Sequence, residues 1–235
     1  MRQLSDWFPE LDALIGLQQN PRFHPEGDVW VHTMQVLDAA SELRAEARHP
    51  LWLMLAALCH DMGKAVTTEE IGGVFHAYQH EKAGVPLVRA FLGRMTRETK
   101  LLQYVLNMTE LHMKPNMLVA HSSHVKSYMR MYDDSLCPGD LLLLAKADYL
   151  GRVGPASDRA AMRAAYAPVE RSLRDMLALY EERMRMPCLT GRDLVEAGIE
   201  PGPIFTEALA YAHKLRLAGR PKEEQLKHAL SMLRK

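Results

Sequence analysis

An adjacent pair, His60-Asp61, closes the apolar run from Leu51 to Cys59, and Met62-Gly63-Lys64 follow at once. Two different metal-ligand atoms, an imidazole nitrogen and a carboxylate oxygen, thereby sit side by side where a helix should stop. A cation placed there could lower the pKa of a bound water and polarise a phosphoryl oxygen, which is the chemistry of phosphoester hydrolysis. Lys64, three residues past Asp61, is placed either to hold a phosphate oxygen as a mobile point charge or to lie solvated in a loop.

Other ionisable residues inside apolar helical stretches raise the same question. His32 follows Trp30-Val31, and Asp148 lies within Leu141-Leu142-Leu143-Leu144-Ala145-Lys146-Ala147-Asp148-Tyr149-Leu150. Desolvating a bare carboxylate is costly, so a buried Asp148 needs a cation or strong donors. His32, His60, Asp61 and Asp148, converging from three helices on one cation, would answer all these burial problems together. Plainer alternatives stay open at this level: a core or surface histidine at 32, and an Asp148 paired with Lys146 or Arg152. Arg152 itself, one helical turn past Asp148, could bind phosphate or pair with a carboxylate.

The elements that must carry these residues are helical. No alternating strand is evident, and an all-α fold is expected. A short helix is predicted over 9–17, before breaks at Asn20-Pro21 and Pro25-Glu26-Gly27. Asp28 is the expected N-cap of the helix bearing His32. The next helix should run over 50–62, with proline in its first turn and Gly63 past its end. Gly72-Gly73 reads as a loop. Further helices are predicted over 81–94, 96–112, 123–132, 138–151 and 158–184. After Pro187, Thr190-Gly191-Arg192-Asp193 opens a short helix, and two more follow over 204–217 and 221–233. Residues 1–186 are thus expected to form one helical domain and 187–235 a small C-terminal helical appendage.

At 48% hydrophobic and 25% charged residues over 235 positions, the chain can build a substantial core. Lys+Arg and Asp+Glu both number 29, so there is no overall pull toward nucleic acid, although a basic face can still exist locally. Cys59, Cys137 and Cys188 have no CxxC spacing and read as reduced thiols. With no apolar signal region and no run long enough to span a bilayer, a cytoplasmic protein without membrane contact is expected.

In order, His32, His60-Asp61 and Asp148 resemble the H…HD…D signature of the HD superfamily of metal-dependent phosphohydrolases. The stretch His24-Pro25-Glu26-Gly27-Asp28-Val29-Trp30-Val31-His32-Thr33, together with Ala56-Ala57-Leu58-Cys59-His60-Asp61-Met62-Gly63-Lys64, is similar to the HD-domain half of bacterial CCA-adding tRNA nucleotidyltransferases. Ala147-Asp148-Tyr149-Leu150-Gly151-Arg152 resembles that family's Asp-bearing helix, and residues 189–203 resemble the C-terminal segment of CCA-adding and poly(A)-adding enzymes. The nucleotidyltransferase head of such enzymes carries a Gly-rich turn and paired carboxylates in DxD form. No such turn or DxD occurs in this sequence, so nucleotide addition is not expected of it.

The resemblance implies an HD-domain helical bundle with His32, His60, Asp61 and Asp148 as metal ligands. His80 and His112 resemble positions that add a second metal in some HD proteins, and six ligands would suit a dinuclear site about 4 Å across with Asp61 bridging. Mixed nitrogen and oxygen donors favour Mn, Fe, Co, Ni or Zn over Ca, and Mg is also compatible. Asp61 and Lys64 are the expected catalytic residues, with Lys64 and Arg152 on the substrate phosphate. Implied substrates are 2′,3′-cyclic nucleotides, 2′-nucleotides, small phosphomonoesters or RNA ends. The alternative is an RNA- or tRNA-binding or partner module, for which Lys214, Arg216, Arg220, Lys222, Lys227, Arg234 and Lys235 supply a basic tail. A phosphohydrolase acting on a nucleotide second messenger is a third option.

Overall fold

The computed structural model describes residues 2–154 and 157–233. They form helices α1 (Arg2–Trp7), α2 (Pro9–Asp12), α3 (Val29–Leu43), α4 (Pro50–Cys59), α5 (Lys64–Thr67), α6 (His80–Met95), α7 (Thr99–Leu111), α8 (Lys114–Ala120), α9 (Val125–Asp134), α10 (Pro138–Leu150), α11 (Arg159–Arg185), α12 (Gly191–Glu196), α13 (Ile204–Leu217) and α14 (Lys222–Leu233). A short 3₁₀ turn, Arg44–Glu46, follows α3, and one small hairpin, β1 (Thr68–Ile71) with β2 (Val74–Ala77), interrupts the helices. The fold is all-α apart from this hairpin.

Two compact units are present. One comprises residues 1–122 and 134–173, the other 123–133 and 174–235. In the first, α4 packs against α3, α7 and α10, and α6 packs on α7. The sequence of α4 explains its central place, since Pro50 starts it and every position through Cys59 is apolar. Leu53, Ala56, Ala57 and Cys59 are fully buried, and Ala40, Ala145 and Ala147 on the neighbouring helices are equally enclosed. Small side chains there let helix axes approach closely enough to bring ends of α3, α4 and α10 to one place. Asp140 braces the same unit: its buried carboxylate accepts hydrogen bonds from the backbone N–H of Arg48 (2.8 Å) and His49 (3.2 Å) and from the Tyr104 hydroxyl (2.8 Å).

The hairpin departs from the expectation of no strands. Its register runs from Thr68 opposite Ala77 to Ile71 opposite Val74. Gly72 and Gly73 both take positive φ, 59° and 78°, as a two-residue hairpin turn requires. Half of the strand residues are exposed and none is buried, so the hairpin lacks the apolar alternation by which a strand is read. Three smaller differences occur. The predicted helix over 9–17 stops at Asp12 and ends in turns; α1 precedes it; and α8 occupies a stretch with no predicted helix. Gly63 does not end α4 in a left-handed conformation either, because its φ is −64°. Glycine is needed there for a different reason: a Cβ would lie 1.9 Å from the His80 carbonyl oxygen and 2.6 Å from the Gly84 nitrogen.

In the second unit, Leu189, Leu194, Ala208, Ala212 and Ala229 form a small core under Phe205, Leu209 and Leu226. Thr190 and Asp193 make a reciprocal capping box at the start of α12. The buried Gln225 carboxamide accepts from Leu189 N (3.1 Å) and donates to the Arg220 carbonyl (2.9 Å). Among the described residues, no helix is long and apolar enough to cross a membrane.

Candidate metal centre

The four residues of the sequence signature meet in the first unit, and His80 and His112 join them. All six are buried. Asp28 caps α3 as expected, its carboxylate accepting from Val31 N at 2.8 Å, and this fixes the helix that delivers His32. His60 stands at the C-cap of α4, His112 at the C-cap of α7, and His80 opens α6. Asp148 lies in the last turn of α10.

Asp61 is the centre of the arrangement. Its Oδ1 faces His80 Nε2 at 3.1 Å and His112 Nε2 at 3.7 Å, while its Oδ2 faces His60 Nε2 at 3.2 Å and His32 Nε2 at 3.7 Å. Asp148 Oδ1 lies 3.2 Å from His32 Nε2. Two groups of ligand atoms therefore share one neighbourhood, one from His32, His60 and Asp148 and one from Asp61, His80 and His112.

Three of the imidazoles are locked in the same way. His60 Nδ1 donates to the Ala57 carbonyl (2.8 Å), His80 Nδ1 to the Ala77 carbonyl (2.8 Å) and His112 Nδ1 to the Thr109 carbonyl (2.7 Å). A carbonyl oxygen can only accept, so each Nδ1 carries a proton and each Nε2 is turned inward, a lone pair wherever the ring is neutral. The Nε2 atoms of His80 and His112 stand 3.3 Å apart. Two lone pairs at that distance repel unless a proton or a cation is shared with them. His32 Nε2 and His60 Nε2 are buried without an aligned hydrogen-bond partner among the described residues. Inward lone pairs beside two carboxylates are the donor set of a divalent transition-metal site, and the residues present fit such an ion.

Electrostatics favour ionised carboxylates and a neutral His112, while against the effect of burial Asp148 and Glu26 raise the pKa of His32 and Asp61 raises that of His80. Burial opposes ionisation of Asp61, yet His60, Lys64 and His80 outweigh it and hold the carboxyl well below the usual range. Burial is likewise overcome at Asp148, chiefly by Arg152 and His32. His112 is pressed down to about 3 by burial and by the neighbouring His60 and His80, which keeps it a neutral donor.

Lys64 is not a solvated loop residue. It is 6% exposed, with Nζ 2.7 Å from Asp61 Oδ2 and donating to Gln19 Oε1 at 3.0 Å. Arg152 Nη2 pairs with Asp148 Oδ2 at 2.9 Å, whereas Lys146 reaches Glu170 instead. Both Lys64 and Arg152 line a cleft of about 730 Å³ that also exposes Asp61, His80, His112 and Asp148.

Sequence reasoning placed no role on Glu26, His24 or Gln19. Glu26 Oε1 lies 2.6 Å from His32 Nδ1 and 2.8 Å from His24 Nδ1, and it orients the ring whose other nitrogen faces the cluster. Burial would raise the Glu26 pKa, but His24 and His32 hold it at about 2. All three lie in or beside the irregular segment between α2 and α3, where no periodicity marks a buried position.

An all-α bundle that gathers two aspartates and four histidines defines a metal-binding helical domain. The HD domain family matches residues 29–152, more than half of the sequence, and the chain belongs to that family, whose superfamily is one of metal-dependent phosphohydrolases. Similar curated proteins are each named Multifunctional CCA protein. That of Actinobacillus pleuropneumoniae serotype 5b is 34% identical over 63% of this chain and 36% of its own length. In Thioalkalivibrio sulfidiphilus the identity is 30% over 86% of this chain and 46% of the relative. The Pasteurella multocida protein is 42% identical over 44% of this chain and 24% of the relative. The chain thus spans less than half the length of these relatives.

Proposed function

We propose that the chain is a metal-dependent phosphohydrolase acting on phosphomono- or phosphodiesters of nucleotides, with 2′,3′-cyclic nucleotides, 2′-nucleotides and RNA ends as candidate substrates. The observation that carries this reading is the position of Asp61, whose two oxygens face two different pairs of inward-turned histidine nitrogens. His32, His60, Asp61 and Asp148 would hold one divalent ion, and His80 and His112 with Asp61 a second. Bound there, such ions supply a water of lowered pKa and neutralise charge on the phosphoryl oxygens. Asp61 orients the attacking water. Lys64 and Arg152 set two fixed positive charges on the cleft wall beside Asp61 and Asp148, where they hold phosphate oxygens. The free thiols of Cys59, Cys137 and Cys188 suit a cytoplasmic setting.

The test is release of phosphate, or opening of a cyclic phosphodiester, by purified chain supplied with Mn, Ni, Co, Zn or Mg. Chelator, His60→Ala and Asp61→Ala should each abolish it while the protein stays folded by circular dichroism. Full activity in both variants would overturn the reading.

The resemblance to CCA-adding tRNA nucleotidyltransferases, with a relative named Multifunctional CCA protein aligning over 86% of this chain, favours tRNA binding as a second reading. Its basic tail is partly engaged within the protein, since Lys222 pairs with Asp193, Arg220 with Glu224, and Arg216 donates to the Arg183 and Met184 carbonyls. Arg234 and Lys235 lie outside the described residues. Salt-dependent tRNA binding that weakens on removal of 187–235 would support it.

A further inference from the structure

The cleft above the candidate metal centre is far larger than a phosphate requires. Its volume of about 730 Å³ falls in the range, roughly 300–1,000 Å³, of pockets that enclose whole organic ligands. Its inner wall is ionic and buried, made by Asp61, Lys64, His80 and Asp148. The exposed part of the lining is different: it includes Phe23 and Tyr78, residues that are 54% and 63% exposed.

Each of these rings is tied to the cluster by the chain itself. Phe23 immediately precedes His24, which contacts Glu26, which in turn contacts the His32 ring. Tyr78 stands two residues before His80, and the residue between them, Gln79, takes a left-handed conformation with φ of 58°. That conformation is uncommon outside glycine and fixes the turn from β2 into α6. Tyr78 is also pre-set: one face of its ring stacks on His76, with centroids 5.1 Å apart and planes within 12°. The Arg22 guanidinium sits 5.7 Å from the Phe23 centroid. An isolated exposed aromatic is ordinary. Two that line the same cleft as Lys64 and Arg152, one next to His24 in sequence and the other two residues before His80, supply flat apolar faces alongside its ionic lining. The ligand chemistry that matches both ends is an anionic group joined through a small spacer to a planar ring.

We infer that Phe23 and Tyr78 form a ring-stacking subsite that recognises the base of a nucleotide and thereby selects nucleotides over phosphoesters without a ring. The inference rests on the phosphohydrolase reading for its phosphate end and on the two exposed rings for its base end. Stacking of a base on an aromatic side chain typically changes affinity by a factor of about ten or more, so each ring should be visible by itself.

The test is equilibrium binding by titration calorimetry to the full chain with Mn²⁺ added, using non-hydrolysable phosphonate analogues of AMP and of ribose 5-phosphate. Wild type should prefer the AMP analogue by about tenfold or more. Phe23→Ala and Tyr78→Ala should each lower that preference by about tenfold, and Tyr78→Phe should restore it, because stacking needs the ring and not the hydroxyl. Equal affinities of wild type for the two analogues, or a preference that survives in the double alanine variant, would overturn the subsite. Hydrolysis is scored separately with the natural esters. Ring preference without phosphate release would leave the subsite standing and remove the phosphohydrolase reading; release without ring preference would do the reverse.

Discussion

Gly63 offers the sharpest quantitative test of how the centre is assembled. An alanine there would put its Cβ 1.9 Å from the His80 carbonyl oxygen, more than 1 Å inside the 3.0 Å that such contacts essentially never breach. The next neighbours are also backbone, the Gly84 nitrogen at 2.6 Å and the His80 carbonyl carbon at 2.8 Å. No side chain can rotate away, so α5 and α6 must separate as bodies. Overpacking that a flexible neighbour can absorb costs about 1–3 kcal/mol; a clash against a helix backbone lies at or beyond the upper end, so Gly63→Ala should lose at least ~3 kcal/mol of unfolding free energy. The same separation pulls His80 from Asp61, now 3.1 Å apart, and weakens divalent-metal uptake. Gly93 is the internal control. It is exposed within α6 with open space where a Cβ would go, so Gly93→Ala should stabilise by about 0.5–1 kcal/mol through helix propensity. Urea titration of the three proteins, with Mn²⁺ calorimetry alongside, decides the matter. A Gly63→Ala protein with the wild-type urea midpoint would refute the reasoning.

Two further outcomes follow from single buried groups. Asp140→Asn replaces a carboxylate that accepts three hydrogen bonds with an amide that turns an NH₂ toward one of the donors, and should cost roughly 2–3 kcal/mol in urea unfolding; an unchanged midpoint would sink the brace. For Glu26, the folded pKa is depressed from 4.5 to about 2. Its contribution is therefore present above pH ~4.5 and lost as pH falls through about 2, so wild type should lose more stability than Glu26→Gln between pH 5 and 2, and parallel pH profiles would contradict the assignment.

Legibility in the sequence tracked periodicity and burial. The apolar run Leu51 to Cys59 made α4 evident, Asp28 named its own cap, and the ionisable residues inside apolar helices, His32 and Asp148, identified themselves as groups needing partners. The hairpin over Thr68–Ala77 stayed hidden because its residues do not alternate between core and solvent. Gly63 illustrates a subtler limit: the residue type was informative, but a glycine required by close approach looks in sequence the same as one required by positive φ. Glu26 and Gln19 lie in or beside irregular backbone, where enclosure by distant segments leaves no local pattern.

The positions of the candidate ligands on their helices carry a physical consequence of their own. The last carbonyls of a helix have no intrahelical donor. His60 at the end of α4 and His112 at the end of α7 donate Nδ1–H to carbonyls in those last turns. One hydrogen bond thus satisfies an orphan acceptor, fixes the tautomer and aims Nε2 at Asp61. Asp148 lies in the last turn of α10, so three helix C-termini converge on the cluster. Each presents the negative end of its macrodipole, which favours a cation within about one turn. Two helices oppose them, since His80 stands at the N-terminus of α6 and His32 in the first turn of α3. The three C-termini add to the field of Asp61 and Asp148. Lys64 pairs with Asp61 and Arg152 with Asp148. The cations proposed to bind substrate phosphate are thus the same ones that neutralise these carboxylates. Metal binding at Asp61 and Asp148 would weaken those two ion pairs and turn Lys64 and Arg152 toward the cleft they already line, so ion uptake and phosphate affinity should rise together.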